Sequence, residues 1–335
     1  MKFDFVIGNP PYQEETKETT NQAKPIYHIF VGEAKRVTNN AIVMITPARW
    51  FSGGMGLDSY RETMLTENKI SKMIEYANAK ECFPMNSISG GVSIFCWKKE
   101  YNGPCQFTNV ANGNATSLSR YLNEYPILVR NNDAIEIIHK VQGKSDAPFS
   151  TIVSSISPFA LPTKERGTLQ KTKQDDLHMY SSGGEGYLTR DKVEKGIEYI
   201  DVYKVMLSQT GAEHAGEPAK DGMFRVLSSS MRVLEPGDIC THSYIIIGSY
   251  KCAKPAESVI KYLKSKFARF LILQAMASIH ISKTTFMFTP LQDFTPSSDI
   301  DWSQSIAQID QQLYRKYGLT DEEIDFIETH VKEMQ

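Results

Sequence analysis

Cysteine is scarce in this chain of 335 residues. There are five, Cys82, Cys96, Cys105, Cys240 and Cys252, an odd number with no C-x-x-C spacing. That usage excludes a disulfide framework and a zinc ribbon as the organising principle, calls for no metal, and suits a reducing cytoplasm. Long apolar runs are missing as well. The amino terminus has one lysine and an apolar stretch far shorter than a signal-peptide core, and no segment approaches the roughly 20 residues of a membrane span. The expectation is therefore a cytoplasmic protein with no membrane partner. Charge of one sign is not in excess either, since 37 Lys and Arg face 39 Asp and Glu for a formal net charge of −2. A strongly basic nucleic-acid binder is thereby excluded, and any contact with a polyanion must come from local clusters. No internal repeat or low-complexity tract is present. Two glycine clusters, Ser52-Gly53-Gly54-Met55-Gly56 and Ser182-Gly183-Gly184-Glu185-Gly186, lack the strand, turn and helix order of a nucleotide loop and read as turns. The length is enough for two domains with proper cores.

Against these absences stands Asn9-Pro10-Pro11-Tyr12, which follows the apolar run Phe3-Asp4-Phe5-Val6-Ile7-Gly8. An apolar run of strand length broken by Gly and two prolines reads as a buried strand handing over to a rigid loop. Pro10 biases Asn9 toward an extended backbone, and two fixed φ angles leave the loop little freedom. In open α/β sheets the ligand crevice lies beyond the carboxyl ends of the strands, where this loop would stand. Asn9 offers a side-chain carbonyl, Pro10 a backbone carbonyl with no N–H of its own, and Tyr12 a flat ring. Together they can accept both hydrogens of an exocyclic amine while the ring stacks on the base that carries it. Holding those hydrogens turns the nitrogen lone pair out of conjugation and makes a poor nucleophile usable by positioning alone.

The string Asp4 to Tyr12 resembles motif IV of the N6-adenine DNA methyltransferases, in particular the γ-class, TaqI-like enzymes of type II restriction-modification systems. At average composition the tetrapeptide arises by chance in about one chain in a thousand of this size. Glutamine methyltransferases acting on release factors and some RNA methyltransferases share it, and motif IV alone does not separate them. A helix is expected over about Pro25 to Val37, then a strand Ala41 to Ile45 running into Thr46-Pro47-Ala48-Arg49-Trp50-Phe51. It is similar to the family's next strand, where a proline and an aromatic close the sheet beside the target pocket; a buried core aromatic is the competing reading of Trp50. A strand at Ile70 to Tyr76 leads into Cys82-Phe83-Pro84 and the run Gly90 to Lys98, which resembles the family's motif VIII. By that resemblance Phe83 is the second aromatic against the flipped adenine, across from Tyr12 or at its edge.

The resemblance implies S-adenosyl-L-methionine as cofactor. The chain would start at the fourth strand of a sheet whose first three strands hold most of that cofactor. No cofactor-binding residue can be assigned within it, and the fragment alone is expected to be inactive. The first strand would then be an open apolar edge, suited to a missing amino-terminal methyltransferase half or to self-association.

The expected fold class is α/β, a partial Rossmann-like methyltransferase sheet followed by an α+β target recognition domain. Residues 1–100 would form the carboxyl-terminal half of the catalytic domain, 101–146 a connector with a helix at Asp133 to Gln142, 147–292 the DNA-binding recognition domain, and 293–335 a helical tail. Strands are expected at Phe149 to Val153, Val202 to Leu207, Cys240 to Tyr244 and Ser243 to Gly248. Double-stranded DNA is the expected partner. Its phosphates would meet a loop bearing Lys164, Arg166, Lys171 and Lys173, and a helix between Lys251 and Arg269. On that helix Val259, Leu263, Phe267 and Phe270 form the apolar stripe, with Lys261, Lys264 and Arg269 opposite. His242 and His280 read as structural histidines. In the tail, Thr320 is the expected N-cap of a second helix, with Glu323 completing a capping box. The function this implies is site-specific N6-adenine DNA methylation. Two readings stay beside it: a non-catalytic DNA-recognition module, and a glutamine or RNA N-methyltransferase. No nuclease-like D…E-x-K constellation with strand context stands out.

Overall fold

The computed structural model describes residues 1–14, 23–52, 54–86, 88, 90–111, 113–212, 219, 221–276 and 279–334. Gly53 of the first glycine cluster, and residues 213–218, 220 and 277–278 of the expected recognition region, lie outside them. The chain divides into two compact units, Met1–Ile135 and Glu136–Gln335.

The first unit is built on β1 (Phe3–Gly8), α1 (Tyr27–Val37), β2 (Thr38–Pro47), α2 (Asp58–Thr66), β3 (Ile70–Tyr76), β4 (Val92–Lys98), β5 (Cys105–Ala111) and β6 (Asn114–Arg120). The six strands form one mixed sheet in the order β1-β2-β4-β3-β5-β6. β1 runs parallel to β2 and β3 parallel to β5, while β4 is antiparallel to both its neighbours. Strand β2 is apolar through Ala41 to Ile45 because it is covered on both faces, the pattern of an interior strand. Helix α1 forms because Tyr27, Val31 and Ala34 recur at helical spacing and bury one stripe. They join Ile42, Met44, Phe95 and Phe107 in one core. At the end of the sheet β1 has a single partner among the described residues. Its face bearing Phe3, Phe5 and Ile7 is exposed, by 80% at Ile7, while Val6 on the other face packs on the core. Within 101–135, β5 and β6 continue this sheet.

Helix α3 (Ala134–Gly143) opens the second unit, followed by β7 (Leu177–Ser181), β8 (Gly184–Leu188), β9 (Tyr203–Ser208), β10 (Arg232–Leu234), β11 (Asp238–Cys240), β12 (Tyr244–Tyr250), α4 (Ala253–Lys264), α5 (Lys266–Ala275), α6 (Ile306–Tyr317) and α7 (Asp321–His330). The strands make two three-stranded sheets, β10-β9-β12 and β11-β7-β8. Two strand expectations are corrected. Phe149–Ile152 is a 3-10 turn, closed by the Thr151 hydroxyl donating to Pro148 O at 2.8 Å. The run from Cys240 to Tyr244 is two strands, because Tyr244 N donates to Thr241 O at 3.1 Å and turns the chain between them.

The expected helix from Lys251 to Arg269 is also two, α4 and α5, split at Ser265, whose hydroxyl accepts from Ala268 N and caps α5. The split resets the helical phase, so the apolar stripe stays buried but Arg269 joins it at 1% exposure. Its guanidinium donates to the carbonyls of Lys264 at 3.1 Å and Lys332 at 2.5 Å. In the tail, Thr320 caps α7 with a reciprocal Glu323 contact, as expected.

Asp310, on α6 and 2% exposed, accepts the backbone N–H groups of Lys266 at 3.1 Å and Phe267 at 2.9 Å in the first turn of α5. Those bonds favour its anion, but burial outweighs them and pushes its pKa up to about 6 from 3.8. The folded chain therefore holds a proton that the unfolded chain has released across that window. The stability Asp310 contributes is full below about pH 4 and lost as the pH rises through 6, a swing of at most about 3 kcal/mol. Urea unfolding at pH 4.5 and pH 7 should show Asp310→Asn losing less stability than the parent between the two values.

Candidate functional site

The carboxyl ends of β1, β2 and β3 and the start of β4 meet at one end of the sheet, fixed by the registers Gly8 with Met44, Pro47 with Val92, and Tyr76 with Val92. The loop Asn9-Pro10-Pro11-Tyr12 leaves from this end. Asn9 and Pro11 are exposed, Pro10 and Tyr12 half-buried. The loop is stitched back to the scaffold by Ile26 N, just before α1, donating to Tyr12 O at 3.2 Å, and by a bridge between Gln13 and Pro25.

Tyr12 points its phenol inward. The oxygen is buried and has no hydrogen-bond partner among the described residues. Burial first, and then the nearby Cys82, push its pKa up. An orphaned buried hydroxyl costs about 1–3 kcal/mol, which a bound polar partner would recover. The loop ahead of β4 opens at the same end of the sheet, since it runs from the end of β3 at Tyr76 to the start of β4 at Val92. Phe83 is half-buried and held on both sides of its peptide, its N–H donating to Ala79 O at 2.7 Å and its carbonyl accepting from Asn86 N at 3.0 Å. The two aromatics singled out by the sequence thus belong to neighbouring loops at one sheet end.

What sequence reasoning missed is the anchor of the second loop. Glu75, next to last in β3, has a fully buried carboxylate paired with Arg130. Arg130 donates through Nε to Glu75 at 3.0 Å and through Nη2 to Gly90 O at 2.8 Å, and lies over the Phe51 ring at 5.9 Å. Gly91 has φ +79, and a Cβ there would stand 2.3 Å from Tyr76 O. Its carbonyl accepts from Ala48 N at 2.9 Å. The Gly90-Gly91 doublet was the available signal, but nothing in the sequence joined it to a residue 39 positions on. Trp50 takes the core reading. It is fully buried, edge-on to Phe51 at 4.8 Å and to Tyr60 at 5.6 Å.

A cavity of about 420 Å³ lies elsewhere, on α1 and α2, lined by His28, Lys35, Tyr60 and Glu67 among others. Lys35 and Glu67 are ion-paired across it at 2.6 Å. Neither the 9–12 loop nor the 82–91 loop contributes to its wall, so volume and chemistry part company here. The tetrapeptide is the stronger candidate because its donor and acceptor types match a specific ligand group.

The basic residues proposed for phosphates lie in the second unit. Lys164, Lys171 and Lys173 are exposed. Arg166 is exposed too, with Nη1 donating to its own loop at Thr163 O, 2.7 Å, and Glu165 O, 2.8 Å. Lys261 spends its ammonium on the carbonyls of Trp302 at 2.7 Å, Ser303 at 3.3 Å and Gln304 at 3.2 Å, which leaves it no donor for a phosphate. Lys264 is half-buried. His242 and His280 are both exposed. His178 lies between Asp238 at 3.2 Å and Glu185 at 3.3 Å.

Removing one member of the Glu75–Arg130 pair leaves a buried charge, so Arg130→Met should cost about 3–5 kcal/mol. Gly91→Ala should cost at least about 1–3 kcal/mol from the positive φ, before the clash is counted. Urea titration of either variant at pH 7 checks this, with Arg36→Met as a control whose partner pair is exposed and whose cost should stay below about 1 kcal/mol.

Comparison with known proteins adds three findings. Residues 1–83 match the Eco57I restriction-modification methylase family. A protein of Mycoplasma pneumoniae described as an uncharacterized adenine-specific methylase is 37% identical over 106 residues, which are 31% of this chain and 25% of that protein. The Type IIL restriction-modification enzyme MmeI, solved in complex with DNA, aligns over 96% of this chain and 56% of its own at 10% identity and a TM-score of 0.52. At that identity the likeness concerns the fold, an α/β architecture with a Rossmann-like methyltransferase sheet. The chain thus spans a quarter to about half of the length of these relatives.

Proposed function

We propose, for a chain whose residues 1–83 match the Eco57I restriction-modification methylase family, that it supplies the adenine-holding side and the DNA-recognition part of a site-specific N6-adenine DNA methyltransferase. The observation that carries this reading is the Asn9-Pro10-Pro11-Tyr12 loop at the carboxyl end of β1, with a half-buried ring whose buried phenol has no hydrogen-bond partner among the described residues. Asn9 Oδ1 and the Pro10 carbonyl are two acceptors, and an exocyclic amine brings two donors. A carbonyl-bearing base edge would meet acceptor against acceptor and be rejected. The target reaches this loop only when rotated out of the helix. Tyr12 then takes one face of the base, and Phe83 the other face or the edge. The adenine specificity in the Mycoplasma relative's description favours adenine over cytosine and guanine, whose rings also carry an exocyclic amine.

S-adenosyl-L-methionine is the methyl donor in this reading, supplying an electrophilic methyl on sulfur. Among the described residues there is no cradle for its adenosine and amino-acid parts. The cluster at Ser182–Gly186 forms the β7–β8 hairpin turn, and the turn ahead of α2 has Gly54 N donating to the Asp58 carboxylate at 3.3 Å. The work assigned to this chain is therefore to extract, stack and orient the amino nitrogen, and residues 147–292 are assigned to DNA recognition. The same missing cradle supports a second reading, a DNA-recognition module that binds without any dependence on the donor.

The deciding assay is transfer of tritiated methyl from S-adenosyl-L-methionine to plasmid DNA, run on this chain and on the product of its complete reading frame. With the complete product, label should appear on N6 of adenine. Asn9→Ala and Tyr12→Ala should each lower kcat by at least about a hundredfold. Equal labelling by Asn9→Ala would remove the pocket assignment. DNA binding without labelling in either form would leave the recognition module.

A further inference from the structure

Leu169 is 92% exposed, at the tip of a loop that is otherwise locked. Glu165 Oε1 accepts from Arg166 N and Gly167 N, each at 3.0 Å. Thr168 exchanges both backbone hydrogen bonds with Tyr187 of β8, each at 2.8 Å. Its hydroxyl donates to Gln170 O at 2.7 Å. On the far side, Asp176 Oδ2 accepts from Thr172 N at 2.6 Å, the Thr172 hydroxyl at 2.8 Å and Lys173 N at 2.9 Å. The tip is pinned on both sides of the leucine.

The bed for this loop is the second glycine cluster. A Cβ on Gly167 would stand 2.2 Å from Tyr187 O, one on Gly186 2.1 Å from Arg166 O, and one on Gly183 2.4 Å from Arg166 Nε. Gly167 and Gly186, which would meet backbone, are therefore required for the loop to lie flat on the β7–β8 hairpin, while at Gly183 the Arg166 side chain could swing aside. Beside it the hairpin presents an aromatic and cationic face. Lys171 Nζ lies 5.7 Å from the Tyr187 ring, the Arg232 guanidinium 4.9 Å from the Tyr180 ring, and the His178 ring touches both tyrosines at 4.6 and 5.3 Å. Glu185 and Asp238 hold His178 within that face.

A lone exposed leucine is ordinary on a protein surface. A leucine displayed at the tip of a pre-ordered loop, with Lys164, Arg166, Lys171 and Lys173 around it in a chain of net charge −2, fits one partner chemistry. Cations take phosphates while an apolar side chain enters between base steps, unstacks them and bends the duplex. We propose that the 164–173 loop is a DNA-distorting wedge in which Leu169 inserts between base pairs and Lys171 and Lys173 hold the flanking phosphates. This rests on the DNA-methyltransferase reading above and adds to it a source of strain that eases rotation of the target base. Because the loop bonds through its backbone and polar side chains, Leu169 can be replaced without unfolding it.

The test needs no knowledge of the recognised sequence. A nicked plasmid closed by ligase in the presence of the chain records any unwinding as a shift in linking number. The parent chain and Leu169→Met should give the shift. Leu169→Ala should abolish it and bind plasmid DNA about tenfold more weakly, and Lys171→Ala should lower the slope of log affinity against log salt by about one. Tyr12→Ala keeps the wedge and should keep most of the shift, so a failed base pocket and a failed wedge are distinguishable. Unchanged topology and affinity in Leu169→Ala, or preference of the parent chain for single-stranded RNA over duplex DNA, would overturn the proposal.

Discussion

The loop end of the first unit depends on one buried charge. Glu75 has no exposure on β3, and the guanidinium that neutralises it comes from Arg130, beyond the last strand of the sheet. Arg130 also takes Gly90 O, and Gly91 must lack a side chain because Tyr76 O stands where its Cβ would be. These contacts set where β4 begins and so where the preceding loop, with Cys82 and Phe83, can come to rest. The loop proposed to hold the base and the loop ahead of β4 are thus referred to an ion pair that touches none of the proposed ligands, the kind of supporting contact that a precise site needs.

The second unit uses charge in another way. Lys204, fully buried, donates to the carbonyls of Ile200 at 3.2 Å, Val202 at 3.1 Å and Glu235 at 2.9 Å, and burial lowers its pKa to about 8. Arg269 and Lys261 likewise end on carbonyls. Where strands are short and connections long, a cation satisfied by several carbonyls gathers segments that no ladder of backbone bonds could join. Three cations of this unit are therefore internal fastening, and the total says little about which cations face outward.

The legible parts of the sequence were those in which one local rule decides. The strands β1 and β2 follow from apolar runs ended by Gly8 and Pro47, and the cap of α7 from Thr320 and Glu323. Arg269 was misplaced because a single hydroxyl, that of Ser265, ends one helix and starts the next, shifting the face of every later residue. Phe149–Ile152 carries strand-forming residues, yet a side-chain bond to Pro148 O rolls it into a turn. The glycines at 183 and 186 were read as a turn, which they make. Their second role, contact with residues 166 and 168, is a tertiary fact with no sequence pattern. The tetrapeptide was legible because its chemistry is contained in four consecutive residues.

Pro10 and Pro11 also act on the free side of β1. Among the described residues that strand presents an unpaired backbone edge and exposed phenylalanines, a template on which another strand could lay itself down. A ladder growing along it must stop at Asn9, since the next two residues have no N–H to donate. The prolines are in effect a register stop. Whatever pairs with β1, whether an intended strand or an accidental one, cannot zip onward into the loop that follows, and Asn9 and Tyr12 keep their shape however the edge is occupied.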